Sequence, residues 1–79
     1  MASLTTALET EFTPAAGDFI VQCTKAPATL LRKNVTGLAD FASVGTLMPG
    51  DALICSNPVA GAIYKFTALS GTPRVSADQ

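Results

Sequence analysis

The sequence predicts an all-β fold, a small single-domain β-sandwich or jelly-roll-like barrel of six to seven short antiparallel strands. Gly or Pro recurs every eight to twelve residues, at Pro14/Gly17, Pro27, Gly37, Gly45, Pro49/Gly50, Pro58/Gly61 and Gly71/Pro73. Turn signals at that spacing mark a chain that reverses after each short strand. The runs between them alternate apolar and polar residues with the period of two that a half-buried strand requires. Threonine is second in abundance only to alanine, and no stretch between turn signals is long enough for a sound helix.

The first run places Leu4, Thr6, Leu8, Thr10 and Phe12 on one parity and Ser3, Thr5, Ala7, Glu9 and Glu11 on the other. It reads as a strand or extended arm over residues 1–12, ahead of a β-sandwich domain over residues 13–79. A helical alternative exists, because Leu4, Leu8 and Phe12 are spaced by four and Thr6 with Glu9 fits a capping box. The threonines and Phe12 lower helix propensity and favour the strand. Asp18 to Thr24 then sets Phe19, Val21 and Cys23 on one face. Ala28 to Val35 is less regular, with Leu30 and Leu31 adjacent ahead of Arg32 and Lys33. A bulge, or a strand covered on both faces, would accommodate that pair.

Asn34-Val35-Thr36-Gly37 supplies a loop, and Asp40 to Val44 a short strand carrying Phe41 and Val44. Met48-Pro49-Gly50-Asp51 has the Pro-Gly order of a type II turn. It delivers Ala52 to Ser56, where Leu53 and Cys55 oppose Ala52, Ile54 and Ser56. A loop over Asn57 to Gly61 precedes the strongest strand signal, Ala62 to Leu69, with Tyr64, Phe66 and Ala68 on one side. After Ser70 to Pro73 the last strand, Arg74 to Asp78, points Val75 and Ala77 inward.

Of the 79 residues 48% are hydrophobic and 14% charged, five basic against six acidic, with neither histidine nor tryptophan. A soluble surface usually carries about 25% charge or more, so this chain is short of charge for one that works alone. A net charge of −1 gives no electrostatic basis for nucleic-acid binding, and Arg32-Lys33, the one basic doublet, has no interleaved aromatics. No run reaches the roughly 18 consecutive apolar residues of a membrane-spanning helix, and the first residues lack the basic and apolar regions of a signal peptide. Synthesis in a reducing cytoplasm is the expectation, which makes the Asn34-Val35-Thr36 sequon a chance match.

A domain this small buries only about 60% of its unfolded surface, and a metal, disulfides or partner chains usually help. Without histidine, the nitrogen and sulfur ligands reduce to Cys23 and Cys55, whereas structural zinc wants four, so neither metal nor cofactor is expected. The two thiols form no CxxC motif. They could make an intrachain disulfide, a bond between subunits or no bond; the preferred reading is two reduced, half-buried small hydrophobes.

The missing histidine also removes the usual Ser-His and Cys-His pairs and the commonest general base. Glu9 and Glu11 could in principle form a carboxylate pair, but they read as a solvated strand face with no cleft to serve. Asp18, Asp40, Asp51 and Asp78 sit beside turns or at the end of a strand, and turn chemistry accounts for them. Gly45 to Gly50 lacks the ending of a phosphate-binding loop and leads into a strand. The chain is therefore expected to be non-enzymatic. Tyr64, with Phe41 or Phe66, could stack on a sugar, but aromatics in an alternating strand ordinarily belong to the core. Ile20, Ile54 and Ile63 lie opposite the stronger apolar set of their strands and mark a candidate subunit or capsid interface. Homo-oligomerisation follows as an expectation.

The segment Ala60-Gly61-Ala62-Ile63-Tyr64-Lys65-Phe66-Thr67-Ala68, read with Asp18-Phe19-Ile20-Val21-Gln22, Ala28-Thr29-Leu30-Leu31-Arg32-Lys33 and Pro73-Arg74-Val75-Ser76-Ala77-Asp78, resembles the small all-β virion proteins of tailed bacteriophages. The resemblance covers about residues 12–79, with Phe41 standing where most such chains carry Trp. It implies a virion structural protein made in the host cytoplasm, of the capsid decoration or head-fibre type. It further implies many copies, trimers favoured, partners among the major capsid protein or other virion proteins, and no catalysis. A tail-fibre or host-glycan-binding module is the alternative. Residues 2–12 lie outside the match and would serve as an arm adding a strand to a neighbour's sheet edge.

Overall fold

The alternating runs become seven strands in the computed structural model, which describes residues 2–33 and 40–79. They are β1 (Ser3–Thr5), β2 (Gly17–Thr24), β3 (Ala28–Lys33), β4 (Ala42–Leu47), β5 (Ala52–Asn57), β6 (Ile63–Ala68) and β7 (Arg74–Asp78). No helix occurs among the described residues. All pairings are antiparallel, in a four-stranded sheet ordered β1-β7-β2-β5 and a three-stranded sheet ordered β4-β3-β6. The fold is a small all-β sandwich, as the turn spacing and alternation predict. The expected loop at Asn34 to Gly37, with its sequon, and Val35 of the third run lie outside the described residues.

Register explains the core, because residues directly opposite in a sheet share a face. In the four-stranded sheet Val21 pairs with Ala77 and Cys23 with Val75, and all four are buried. In the three-stranded sheet Leu30 pairs with Phe66 and Ala28 with Leu47, also buried. The two faces meet through an edge-on contact of Phe19 and Tyr64, whose ring centroids are 5.0 Å apart. The adjacent leucines are resolved by a bulge: Leu30 pairs with Gly45 and Leu31 with Ser43, so Val44 is the extra residue on β4. The Met48–Asp51 turn has the Gly50 φ of 94° that a type II turn needs, closed by the Asp51 N–H donating to Met48 O at 3.0 Å.

The first run departs from the expected continuous strand. Only Ser3–Thr5 forms a strand, against β7 of the same chain; the chain then turns through Ala7 to Glu9, where Glu9 takes a left-handed φ of 58°. The cause is tertiary. Phe12 is drawn across to the other sheet, where its N–H donates to Tyr64 O at 2.8 Å and its C=O accepts from Tyr64 N–H at 2.9 Å. Its ring lies 6.1 Å from Phe19, 5.9 Å from Tyr64 and 5.6 Å from Phe66. Glu9 N–H donates to Phe66 O at 2.8 Å, so residues 9–12 lie along β6 and cover that edge.

Phe12→Ala removes a ring that packs against three others at the meeting point of the two sheets, a truncation that costs about 3–5 kcal/mol at buried aromatic sites. Small domains hold roughly 5–15 kcal/mol in all. The expected result in a urea titration is a midpoint lowered by about 1–5 M, the loss divided by a slope of roughly 1–3 kcal/mol per M. A midpoint close to that of the unaltered chain would show that Phe12 does not join the sheets.

Candidate functional site

The candidate site lies on the opposite rim, where β5 ends the four-stranded sheet and β4 ends the three-stranded sheet. Edge strands expose unpaired main-chain groups and are usually blunted by charge, proline, shortness or a covering loop. β1 is three residues long and β6 is covered by residues 9–12. Among the described residues β5 has none of these protections: Ala52–Asn57 reads Ala-Leu-Ile-Cys-Ser-Asn and runs in unbroken register with β2 from Gln22↔Ala52 to Gly17↔Asn57.

Hydrogen-bond parity identifies which β5 groups face outward. Cys23 directs both its N–H and its C=O toward the β5 side, donating to Asp51 O at 3.1 Å and accepting from Gly50 N–H at 2.8 Å. Phe19 and Val21 share that parity, and their register partners Cys55 and Leu53 reciprocate. The alternate residues, Ala52, Ile54 and Ser56, therefore aim their N–H and C=O groups off the edge.

The rim is apolar as well as open. Ile54 is 72% exposed, Met48 54%, Val44 53% and Leu53 47%. Between β4 and β5 a groove of ≈ 280 Å³ opens into the sandwich, floored by Val21, Leu30 and Leu47 and flanked by Val44 and Leu53. Arg32 and Tyr64 stand at the end nearer Asn57. There the Arg32 Nε–H donates to the Tyr64 hydroxyl at 3.2 Å, which donates to Asn57 Oδ1 at 3.2 Å. Asn57 Nδ2 in turn donates to Pro14 O at 3.2 Å and Ala15 O at 3.1 Å. This buried relay fastens β3 and β6 to β5 and to the 13–16 connection, closing that end of the sandwich.

The three isoleucines divide. Ile20 and Ile54 are register partners on the outer face of the four-stranded sheet, Ile20 half-buried beside the exposed Ile54. Ile63 is half-buried on β6 in the other sheet, opposite Lys33, and is not brought to them. Leu53, Val44 and Met48 complete the apolar rim without any interface signal in the sequence: parity assigns Leu53 to the core, and alternation says nothing of a strand being last in its sheet. Asn57, assigned by sequence to a loop, is fully buried at the end of β5. No local signal marks it.

Tyr64 and Phe66 are core residues, so neither offers a stacking face to a sugar. Phe41 is half-buried, with Lys65 Nζ 4.5 Å and Lys33 Nζ 5.9 Å from its ring. Glu9 and Glu11 are exposed on the opposite side of the sandwich from the groove, Glu9 Oε2 lying 3.9 Å from Lys65 Nζ. Asp51 caps its turn, its Oδ2 accepting from Met48 N–H at 2.8 Å. Among the described residues no group of three or more His, Cys, Asp or Glu is placed to hold a metal.

Both cysteines are free thiols, Cys23 buried and Cys55 half-buried. Cys55 stands opposite Phe19, four residues from Cys23 along β2, a separation of about 13 Å at strand rise against the roughly 7 Å limit for a disulfide. Burial pushes the Cys55 thiol up. Burial pushes Cys23 up too, with a smaller opposing effect from a backbone hydrogen bond of Ala28 and a further small rise from Asp51.

No family model, curated protein or solved structure matches the chain.

Tyr64→Phe leaves the buried Asn57 Oδ1 without its donor, and stability should fall by about 1–3 kcal/mol while the β-sheet circular dichroism is retained. An unchanged denaturation midpoint would dismiss the relay as a fastening. The thiols give a second check. Raised thiol pKa values mean that the unfolded chain releases its protons first as pH climbs, so their contribution to stability is whole at neutral pH and declines above the ordinary thiol value of 9.0. At pH 8 a disulfide reagent should modify Cys55 more slowly than it modifies the urea-unfolded chain, and Cys23 more slowly still. Equal rates in both states would contradict burial of the thiols.

Proposed function

We propose that this chain is a non-catalytic structural subunit that works in many copies, specifically a capsid decoration protein that settles on a phage shell. One observation carries the many-copy reading: an edge strand without charge or proline, bordered by four exposed apolar side chains, on a chain with only 14% charged residues. Monomeric proteins guard such edges, and large exposed apolar patches mark interaction surfaces. The capsid setting is supported by the resemblance of the strand pattern in residues 12–79 to small virion proteins. Its mechanism is avidity: each copy adds a modest apolar and main-chain contact, and repetition across a lattice makes the sum tight. A shell bound only in its assembled form is stabilised by mass action.

Sedimentation with purified phage shells tests the reading. The protein should pellet with shells in a saturable ratio and raise the temperature at which they release their contents. Protein that stays in the supernatant at every ratio, and is undetected by mass spectrometry in purified virions, would overturn it.

A further inference from the structure

We propose that two copies of this chain pair antiparallel through β5, about a two-fold axis at Ile54, so that the four-stranded sheet continues across the interface. The pairing gives the many-copy reading its first contact and rests on that reading for its purpose, while its geometry stands on the strand itself.

The register follows from the outward groups. Ala52, Ile54 and Ser56 each present one N–H and one C=O, and an antiparallel copy satisfies all of them when Ile54 faces Ile54 and Ala52 faces Ser56. Sliding one step sets Ala52 against Pro58, which has no N–H to donate. Sliding the other way sets Ser56 against Gly50, inside the turn with φ 94°. Only the central register leaves no group of the three residues unpaired.

Side chains agree with that register. On the groove side Leu53 stands opposite Cys55 of the second copy, a large residue against a small one, each beside the mouth of the other copy's groove. On the outer side Ile54 meets Ile54 and Ala52 meets Ser56. A two-fold axis places every charge near its own like, and β5 carries no charge to be repelled.

The area sets the strength. Six residues span about 20 Å at strand rise, and the sandwich is 16 Å thick, giving a contact face of about 300 Å² per copy. Stable interfaces bury about 800 Å² per partner, so the pair is weak in dilute solution and fills at the high local concentration of a lattice. A two-fold contact of this kind is isologous and closes at two copies; the trimer implied by the virion resemblance would need another surface.

Equilibrium sedimentation up to about 1 mM reads the association. The mass should climb toward twice that of the monomer, and Ile54→Lys, which opposes two ammonium groups at the axis, should weaken the association by about tenfold or more. Ile54 is 72% exposed, so the fold should survive, as circular dichroism would show. Leu53→Cys reads the register independently. With oxidised glutathione as electron acceptor, the introduced thiol should form a disulfide with Cys55 of the second copy and run as a covalent dimer, while the unaltered chain stays uncrosslinked. A monomer at 1 mM, a trimer, an Ile54→Lys chain that associates as before, or a Cys55–Cys55 crosslink in the unaltered chain would each overturn the proposal. A dimer that ignores phage shells would keep the pairing and sink the decoration reading; a monomer that binds them would do the reverse.

Discussion

Phe12 belongs to no strand, yet the arrangement of the sandwich depends on where it sits. Its ring joins Phe19 of one sheet to Tyr64 and Phe66 of the other, and its main chain pairs with Tyr64. To reach that position the chain leaves the four-stranded sheet after Thr5, turns through Glu9 in a left-handed conformation and lies along β6. One aromatic anchor thereby fills the centre of the core and covers the outer edge of the smaller sheet. Among the described residues the opposite rim has no such cover, which leaves β4 and β5 as the open edge strands.

Strand number, strand order along the chain and most of the core were legible in the sequence. Phe19, Val21 and Cys23, then Tyr64 and Phe66, then Val75 and Ala77, alternate cleanly because each strand faces the core on one side only. Adjacent Leu30 and Leu31 announced an irregularity, and the bulge at Val44 resolves it. The misses have a common origin in tertiary position. Leu4 to Phe12 alternates as well as any strand does, but the pull of the aromatic cluster on Phe12 outweighs local pattern. Leu53 has the parity of a core residue and is half exposed because no further strand lies beyond β5. Asn57 gains its importance from Pro14, distant in sequence, and from the hydroxyl of Tyr64 on the next strand, and alternation within its own strand does not betray it.

The apolar surplus of the composition resolves into two unequal shares. Ile20 and Ile63 are half-buried on opposite sheets and Val59 and Leu69 are exposed singly in bends, scattered positions at which apolar residues are ordinary. Val44, Met48, Leu53 and Ile54 gather at one rim beside a groove that reaches Leu30 and Leu47. The closed end of that groove is polar and satisfied: no buried side-chain nitrogen or oxygen among the described residues lacks a partner. The rim is therefore apolar where it is open and hydrogen-bonded where it is shut.

The bulge at Val44 makes the two edge strands of that rim unequal templates. β5 offers a regular ladder, whereas β4, with its extra residue and Gly45, breaks the even spacing that a stacked strand must match. A sandwich open along both sheets of one rim, and again on the far side, invites repeated addition into a cross-β ribbon. Among the described residues the far side is shortened at β1 or covered along β6, and the smaller sheet carries its bulge on the uncovered edge. The same irregularity that accommodates two adjacent leucines thus leaves β5 the one regular ladder on that rim among the described residues.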